Sequence, residues 1–259
     1  FLHSIIVYIL ATKKPLVGPM RSKRARLDRF ISFHTGISRR AVRLILAKGK
    51  ITIDGSKATN INQLVDEFTH VTLDNRVIQA KIPCYIMMNK PMGFVSATKD
   101  SRHQTVVDLL SETESNGLHI AGRLDFNTSG LLLLTNNGRW SRQLSLPKNK
   151  IIKLYRVVLD KPISMDYVQA FAKGMYFNYE GIRTKPVQLE IVDQYTANIC
   201  LIEGRYHQIK RMFGHFNNRV IKLHRIAVGN LTLDENLGPG QYRVLTELEV
   251  NTITKGVSS

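Results

Sequence analysis

The sequence predicts an α+β protein in which a small basic domain precedes a larger domain with a mostly antiparallel sheet. Two observations predict this class. Up to about residue 82, two short helical patterns lead into short strand patterns, and from Pro83 apolar strand patterns recur with short helices between them. The hydrophobic fraction of 43% is enough to form a sizeable core. We therefore expect a first domain at residues 24–82 and a second at residues 83–259.

The first segment of the chain, residues 1–23, differs from both predicted domains. Its apolar run is too short to span a bilayer, and it lacks the basic start and the cleavage site that are typical of a signal peptide. We interpret it as an N-terminal extension and expect the natural start at Met20, with the preceding residues a translated upstream stretch.

Positive charge is concentrated in the first domain. The chain has 37 Lys and Arg against 20 Asp and Glu, which gives a net charge of +17. Between Met20 and Asn60, eleven basic residues face two acidic ones, so this short segment holds a charge of +9. Such a concentration favours a polyanionic partner over charge that only aids solubility. Nucleic acid is the first candidate, and a membrane surface fits less well because no basic helix has an aromatic apolar face.

The basic segment is predicted to fold as two helices followed by a strand and a tight turn. Leu27, Phe30 and Ile31 recur at helical spacing, and Ser38 is a suitable N-cap for a second helix at Arg39–Lys48. An ITI strand and an Asp-Gly turn signal follow. The cations that we expect to bind a nucleic acid are Arg29, Arg39, Arg40, Arg43 and Lys48.

The most informative stretch of the second domain is AGRLDFNTSGLLLLTNNG, at residues 121–138. Asp125 lies there in a polar turn between two apolar strands. Arg123 precedes it by two positions, so the two side chains share one face if the stretch is extended. The residues alone leave two interpretations open, an aspartate that stabilises the turn through its own backbone or a functional carboxylate.

A basic amphipathic helix is predicted at residues 206–216. Its apolar side chains recur at helical spacing, and His207, Lys210 and Arg211 fall on the opposite side. This pattern is typical both of a solvated basic face and of a cationic face in a binding site.

Motifs for common cofactors are missing from the sequence. It contains no GxxxxGK[ST], no GxGxxG that opens a βαβ unit and no HExxH, and Cys84 and Cys200 are each isolated. We therefore predict a reaction that needs no metal, nucleotide or redox cofactor. Isolated cysteines in apolar runs are typical of a reducing compartment, so we expect a cytoplasmic protein without a membrane partner.

Several motifs resemble those of bacterial pseudouridine synthases. GRLDFNTSGLLLLT is similar to the signature with the catalytic aspartate of this family, and NKPMGFVS resembles its first motif. KLYRV resembles the segment with the active-site tyrosine, whereas EGRYHQIKRMF and KLHRIAVGNLTL resemble the third motif. The resemblance extends from about Arg24 to Val250 with the motifs in the same order, and the first domain resembles an S4-type α-L RNA-binding domain.

This resemblance implies an isomerase that converts uridine into pseudouridine. It implies Asp125 as the catalytic carboxylate, Tyr155 as the ring that stacks on uracil, and Lys210 as the cation beside Asp125, with Arg205 or Arg211 as alternatives. The carboxylate acts either as a nucleophile at C1′ or as a base at C2′. The residues implied in substrate binding are Arg123, Leu223, Arg205, Arg211, Asn89 and Lys90.

An S4-type domain combined with these motifs resembles the branch of the family that acts on ribosomal RNA. Within this branch, GRYHQIKRMF and LHRIAVG resemble enzymes that modify one uridine of small-subunit (16S) ribosomal RNA. The expected partner is this RNA in an assembly intermediate, bound by a monomer. Two alternatives stay open, a large-subunit (23S) target and a catalytically silent RNA-binding protein of ribosome assembly. The presence of Asp125, Tyr155 and Lys210 favours an active enzyme.

Overall fold

The structure is a computed structural model that describes residues 24–115, 117–178 and 180–253. Contacts within the chain divide it into two units, with the division between Pro83 and Cys84. The predicted extension at residues 1–23 lies outside the described residues. Across the described ranges, no helix has both the length and the hydropathy that crossing a bilayer requires.

The first unit combines two helices with short antiparallel strands. Its elements are β1 (Arg24–Arg26), α1 (Leu27–Thr35), α2 (Arg39–Ala47), β2 (Ile51–Ile53), β3 (Ser56–Lys57), β4 (Leu64–Asp66), β5 (Val71–Leu73) and β6 (Arg76–Gln79). One sheet has the strand order β3-β2-β5-β6, and β1 pairs with β4. The two helices, the strand and the tight turn that the sequence predicts are therefore present.

Local sequence explains where these two helices begin and end. Gly36 ends α1 with a φ of 73°, a conformation that glycine adopts without strain. The side chain of Ser38 accepts a hydrogen bond from the N–H of Ala41 and caps α2 as predicted. The apolar faces of both helices are buried with the strands in one core, which includes Leu27, Ile31, Val42, Ile51 and Val71. The arginines of α2 lie on its exposed side.

The second unit is built on a large sheet. Its strands are β7 (Tyr85–Lys90), β8 (His119–Ile120), β9 (Ser129–Thr135), β10 (Lys153–Leu159), β11 (Tyr176–Phe177), β12 (Ile182–Arg183), β13 (Gln188–Ile191), β14 (Thr196–Leu201), β15 (Val220–Val228), β16 (Leu231–Thr232) and β17 (Tyr242–Val244). Its helices are α3 (Glu112–Ser115), α4 (Gly138–Ser145), α5 (Met165–Ala172), α6 (Gln208–Gly214) and α7 (Glu247–Thr252), with 3₁₀ turns at Val106–Leu109 and Pro147–Asn149.

Nine strands of this unit form one sheet. Seven follow the order β13-β14-β10-β15-β9-β7-β17, while β16 pairs with β15 and β8 pairs with β9. The pairings are antiparallel except that of β9 with β15, which is parallel. The predicted α+β class with a large, mostly antiparallel sheet is confirmed.

Aromatic side chains anchor α5 and α6 to this sheet. Phe171 and Phe213 are fully buried, with ring centroids 5.0 Å apart, and Tyr167 stacks on Phe216 at 4.1 Å. The predicted amphipathic helix at residues 206–216 is shorter in the structure, because His207 has a φ of 48° and so stands outside α6.

The parallel pair β9–β15 joins segments that are far apart in the sequence. Ser129 Oγ and His224 Nδ1 are 2.9 Å apart although 95 positions separate them. Gly130 has a φ of 105°, and a Cβ atom there would lie 2.3 Å from the carbonyl oxygen of Arg225. Because only glycine permits this approach, Gly130 allows the start of β9 to lie against β15.

Candidate active site

A cavity in the second unit gathers many of the predicted site residues. Its volume is about 470 Å³. The turn before β9, the start of β10, the loop that leads into α6, and β15 all contribute to its walls. The polar and aromatic side chains that line it are Arg123, Asp125, Thr128, Ser145, Lys153, Tyr155, Glu203, Arg205, Tyr206, His207, Gln208, Lys210 and Arg225.

Hydrogen bonds to its backbone fix the turn that contains Asp125. The N–H of Thr128 donates to the carbonyl of Asp125 at 3.0 Å. The hydroxyl of Ser96 donates to the carbonyl of Leu124 at 2.7 Å and accepts from its N–H at 3.1 Å. The hydroxyl oxygen of Thr128 is buried and has no hydrogen-bond partner among the described residues, so it is available to a polar group that enters the cavity.

A buried lysine supports the same turn from inside the protein. Lys90, the last residue of β7, is 0% exposed. Its ammonium donates to the carbonyl oxygens of Pro91 and Thr128 at 2.9 Å and of Asp125 at 3.2 Å. Burial lowers the pKa of Lys90 to about 8, although the charge of Asp125 partly opposes this effect. Lys90 thus lies outside the cavity lining, and its contacts are with the backbone of the Asp125 turn.

Asp125 forms an ion pair with a histidine. Asp125 Oδ2 lies 3.4 Å from Nε2 of His207, and both side chains are about one third exposed, at 35% and 36%. Lys210, the expected partner of Asp125, lines the same cavity, but in the described part of the chain it forms no ion pair within 4.0 Å of that carboxylate. The side chain beside Asp125 in this structure is therefore the imidazole of His207.

The loop that presents His207 is organised by a buried carboxylate. Glu203 is 6% exposed and accepts hydrogen bonds from the N–H of Lys185 and from the side chain of Gln208, each at 2.9 Å. It also accepts from Arg205 at 3.2 Å. Glu203 thus binds both Arg205 and Gln208, which flank Tyr206 and His207. These hydrogen bonds hold the backbone of the loop that carries the two rings.

Tyr155 is held next to a buried arginine. Arg225 is 2% exposed and donates to the carbonyls of Leu131 at 2.7 Å and Gly122 at 2.9 Å. Its guanidinium also lies 3.5 Å from the hydroxyl of Tyr155 and 6.0 Å from the centre of that ring. Arg225 therefore links β9, β15 and the Asp125 segment to the tyrosine of β10.

Lys153 is a cation of the cavity wall that was not among the predicted site residues. It precedes Tyr155 by two positions on β10, so both side chains point to the same face of the strand. Burial, together with the nearby charge of Arg225, lowers the pKa of Lys153 to about 8. A lysine with a lowered pKa in the wall of a cavity is typical of functional sites.

The structure places two further predicted substrate residues away from the cavity. The side-chain amide of Asn89 donates to the carbonyl of Leu237 at 2.8 Å. Arg211 forms a bidentate pair with Glu180, and its guanidinium lies 3.8 Å from the centre of the Phe177 ring. Both side chains therefore have contacts within the protein.

The remaining predicted site residues divide between the two units. Arg123, Asp125, Tyr155, Arg205, Lys210 and Leu223 all line the cavity. The predicted RNA-binding cations belong to the first unit, where each of them is exposed: Arg29, Arg39, Arg40, Arg43 and Lys48. Lys153, Tyr206 and Arg225 were not predicted as site residues. Arg225 reaches the cavity through contacts between distant segments, whereas Tyr206 directly follows the predicted Arg205 in its motif. Only the i, i+2 spacing from Tyr155 could have indicated Lys153.

Comparison with known proteins settles the family. A family model described as RNA pseudouridylate synthase matches residues 84–215. A protein of Pseudomonas aeruginosa named "Ribosomal small subunit pseudouridine synthase A" is 47% identical over 88% of this chain and 100% of its own length. The chain belongs to the RNA pseudouridylate synthase family. It is therefore an RNA pseudouridine synthase, an isomerase, as the motifs predicted.

Other relatives of this pseudouridine synthase agree. A protein of Escherichia coli K12 with the same printed name is 40% identical over 88% of the chain and 99% of its own length. A solved structure titled "Crystal structure of pseudouridylate synthase" is 35% identical, with a TM-score of 0.65 over 88% of this chain and 99% of the other. The similarity thus extends well beyond the residues that the family model matches.

Proposed function

We propose that this pseudouridine synthase isomerises one uridine of small-subunit ribosomal RNA, with Asp125 as the catalytic carboxylate. The observation that supports it best is the cavity, which Asp125, Tyr155 and several cations line together. The RNA target is supported by the printed names of relatives that are 40–47% identical over 88–89% of the chain.

The reaction breaks the N1–C1′ bond, rotates the detached uracil and joins C5 to C1′. The C5 proton leaves and N1 gains a proton, so product and substrate have the same atoms. Asp125 acts at the sugar, either as a nucleophile that forms an ester with C1′ or as a base that removes the C2′ proton. Both routes need an ionised carboxylate, and the imidazole of His207 lies 3.4 Å from it.

Tyr155 and the cavity cations act on the base. The ring of Tyr155 offers a flat surface for the uracil, and its hydroxyl, beside Arg225, takes part in moving the C5 proton. Negative charge develops on the uracil when its bond to C1′ breaks. Lys153 and Lys210 line the same cavity and stabilise this charge. Leu223 completes the apolar side of the base pocket.

The uridine must leave its stack to reach this cavity, which costs a few kcal/mol and less for an unpaired base. Arg123, two residues before Asp125 in the cavity lining, fills the space that the base vacates or binds a phosphate. The first unit, which resembles an S4-type domain, binds RNA through the exposed cations of α1 and α2. Binding should therefore weaken steeply with salt.

Tritium release tests this function. Small-subunit ribosomal RNA is transcribed with tritium at uracil C5 and incubated with the protein, and the released tritium is counted. We expect release by the wild type and at least about a 10³-fold slower rate for Asp125→Asn, which keeps the shape of the side chain but removes its charge. Asp160→Asn is the matched control, because Asp160 is exposed and outside the cavity.

Each outcome separates the proposal from its alternatives. Release only from large-subunit RNA would replace the target and keep the chemistry. Tight RNA binding without release from either RNA, naked or bound to ribosomal proteins, would replace the enzyme by a silent RNA-binding protein. Equal rates for Asp125→Asn and the wild type would refute the role of Asp125. With RNA deuterated at C2′, a primary isotope effect would identify the elimination route.

A further inference from the structure

An exposed aromatic ring lies at the cavity and has no role in the proposed isomerisation. Tyr206 lines the cavity yet is 73% exposed, more than any other aromatic side chain in the described ranges. Exposing so much of a tyrosine ring to water costs free energy that burial would recover, since a buried aromatic side chain removes roughly 150–250 Å² from water. A ring left exposed at a binding cavity is therefore available to a ligand.

The ring of Tyr206 is held in a defined orientation. It stacks on the ring of His207, with centroids 3.9 Å apart and an angle of 19° between the planes. On its other side, Nε2 of His207 lies 3.4 Å from the carboxylate of Asp125. Its φ of 48° is unusual for a non-glycine residue and turns the backbone so that the two neighbouring rings lie face to face. One face of Tyr206 is therefore covered, and the exposed area leaves the other to solvent.

The surroundings of this ring suit RNA. Arg123, Lys153, Arg205 and Lys210 line the same cavity, so a phosphodiester backbone that enters it meets several cations. Nucleobases stack on exposed aromatic rings irrespective of their sequence, because each base has a flat π face. When one uridine is drawn into the cavity, its neighbours in the chain lose a stacking partner and need another surface.

We propose that the stacked rings of Tyr206 and His207 form a second base-binding site, which takes the unpaired base adjacent to the target uridine. The proposal rests on the proposed function, because it requires a target base in the cavity. Tyr155 is partly buried and suits the engulfed uracil, whereas Tyr206 is exposed and suits a base that stays outside.

Kinetics of Tyr206 variants on small-subunit ribosomal RNA give the first test. Stacking is worth about 1–3 kcal/mol per base, so Tyr206→Ala should raise KM roughly 5- to 150-fold. An interaction of equal strength in the bound and transition states changes KM and leaves kcat nearly constant. Tyr206→Trp should restore most of the affinity because it restores a ring. Tyr176→Ala is the matched control, since Tyr176 is 55% exposed and lies outside the cavity.

A double-mutant cycle then identifies the occupant. After the modified uridine has been mapped, RNA fragments are made in which the base on its 5′ side or on its 3′ side is removed. One of these abasic RNAs should raise the KM of the wild type as Tyr206→Ala does, and with that RNA the substitution should add less than about twofold. If the increase in KM from Tyr206→Ala multiplied with the increase from the missing base for both abasic RNAs, the proposal would be overturned. An unchanged KM for Tyr206→Ala would also overturn it.

Different outcomes would overturn the proposed function and the second base-binding site. Absence of tritium release by the wild type on any ribosomal RNA would overturn the proposed function and, with it, the premise of a flanking base. Release by the wild type together with multiplying losses would overturn only the second base-binding site. A fall in kcat with a constant KM for Tyr206→Ala would also overturn it and assign the ring to the reaction step instead.

Discussion

The two units use positive charge in different ways. In the first unit, Arg39, Arg40 and Arg43 are exposed on one helix and take part in no ion pair among the described residues. In the second unit, Lys90 is buried against backbone carbonyls, and Lys153 lies in the wall of a cavity. An exposed cation acts through its charge, whereas a buried one acts through the atoms that it contacts. The number of charges should therefore matter in the first unit, and the identity of each in the second.

The largest effect should come from Lys90→Met. This change removes the ammonium from the carbonyls of Pro91 and Thr128, whereas the carbonyl of Asp125 keeps its bond from the N–H of Thr128. We expect the free energy of unfolding to fall by about 2–4 kcal/mol, measured by denaturant titration, because each buried acceptor that loses its donor costs about 1–3 kcal/mol. The exposed Lys99 provides the control substitution Lys99→Met. A decrease of less than about 1 kcal/mol would show that the buried ammonium is replaceable, which would remove the contrast between the units.

The next effect concerns pH. Burial lowers the pKa of Lys90 and of Lys153 to about 8, from 10.5. The unfolded chain therefore binds more protons than the folded protein between pH 8 and 10.5, so these two lysines make stability rise with pH across that window. Each should contribute on the order of 1–3 kcal/mol to the rise. Unfolding of wild type and Lys153→Met, compared from pH 7.5 to 10.5, isolates the second lysine, and parallel curves would contradict its burial.

The smallest effect on the free energy of unfolding should come from substitutions of the arginines of α2. Replacing Arg39, Arg40 and Arg43 together by Gln should leave unfolding almost unchanged, because all three are exposed. In RNA-binding measurements, the logarithm of the binding constant is plotted against the logarithm of the salt concentration. The magnitude of this slope should fall by about 0.7–0.9 for each phosphate that the variant no longer neutralises. The triple Lys variant should keep the slope of the wild type. If the Lys variant has a smaller slope, these arginines bind through specific hydrogen-bond geometry and not through charge alone. The identity of each cation would then matter in the first unit as well.

Much of the fold could be predicted from the sequence because its signals are local. Ser38 caps α2 and Gly36 ends α1, and both act within one turn of the helix. The shortened α6 could not be predicted, since the left-handed backbone of His207 does not follow from its residue type. Periodicity identified the apolar side of that helix but not the position at which it begins.

The candidate site was predictable where a motif specifies a residue, and not where a distant segment decides the contact. Asp125 and Tyr155 were found from their motifs and lie in one cavity. Lys90 was expected to bind substrate because of its motif, yet its carbonyl partners include residues 35 and 38 positions away. Arg225 pairs with backbone as far as 103 positions away. Contacts of this range are set by the sheet, which a single sequence does not specify.

The parallel contact between β9 and β15 has a consequence for synthesis of the chain. Gly130 meets Arg225 there, so the cavity is closed only when the strand that ends at Val228 has docked beside the much earlier strand. Contacts of long sequence separation form slowly, because a large loop has to close before they contribute. A nascent chain that has emerged only as far as α6 already contains Asp125, Tyr155 and Lys210 but lacks β15. The enzyme should therefore become active late in its own translation, after nearly all of its residues have left the ribosome.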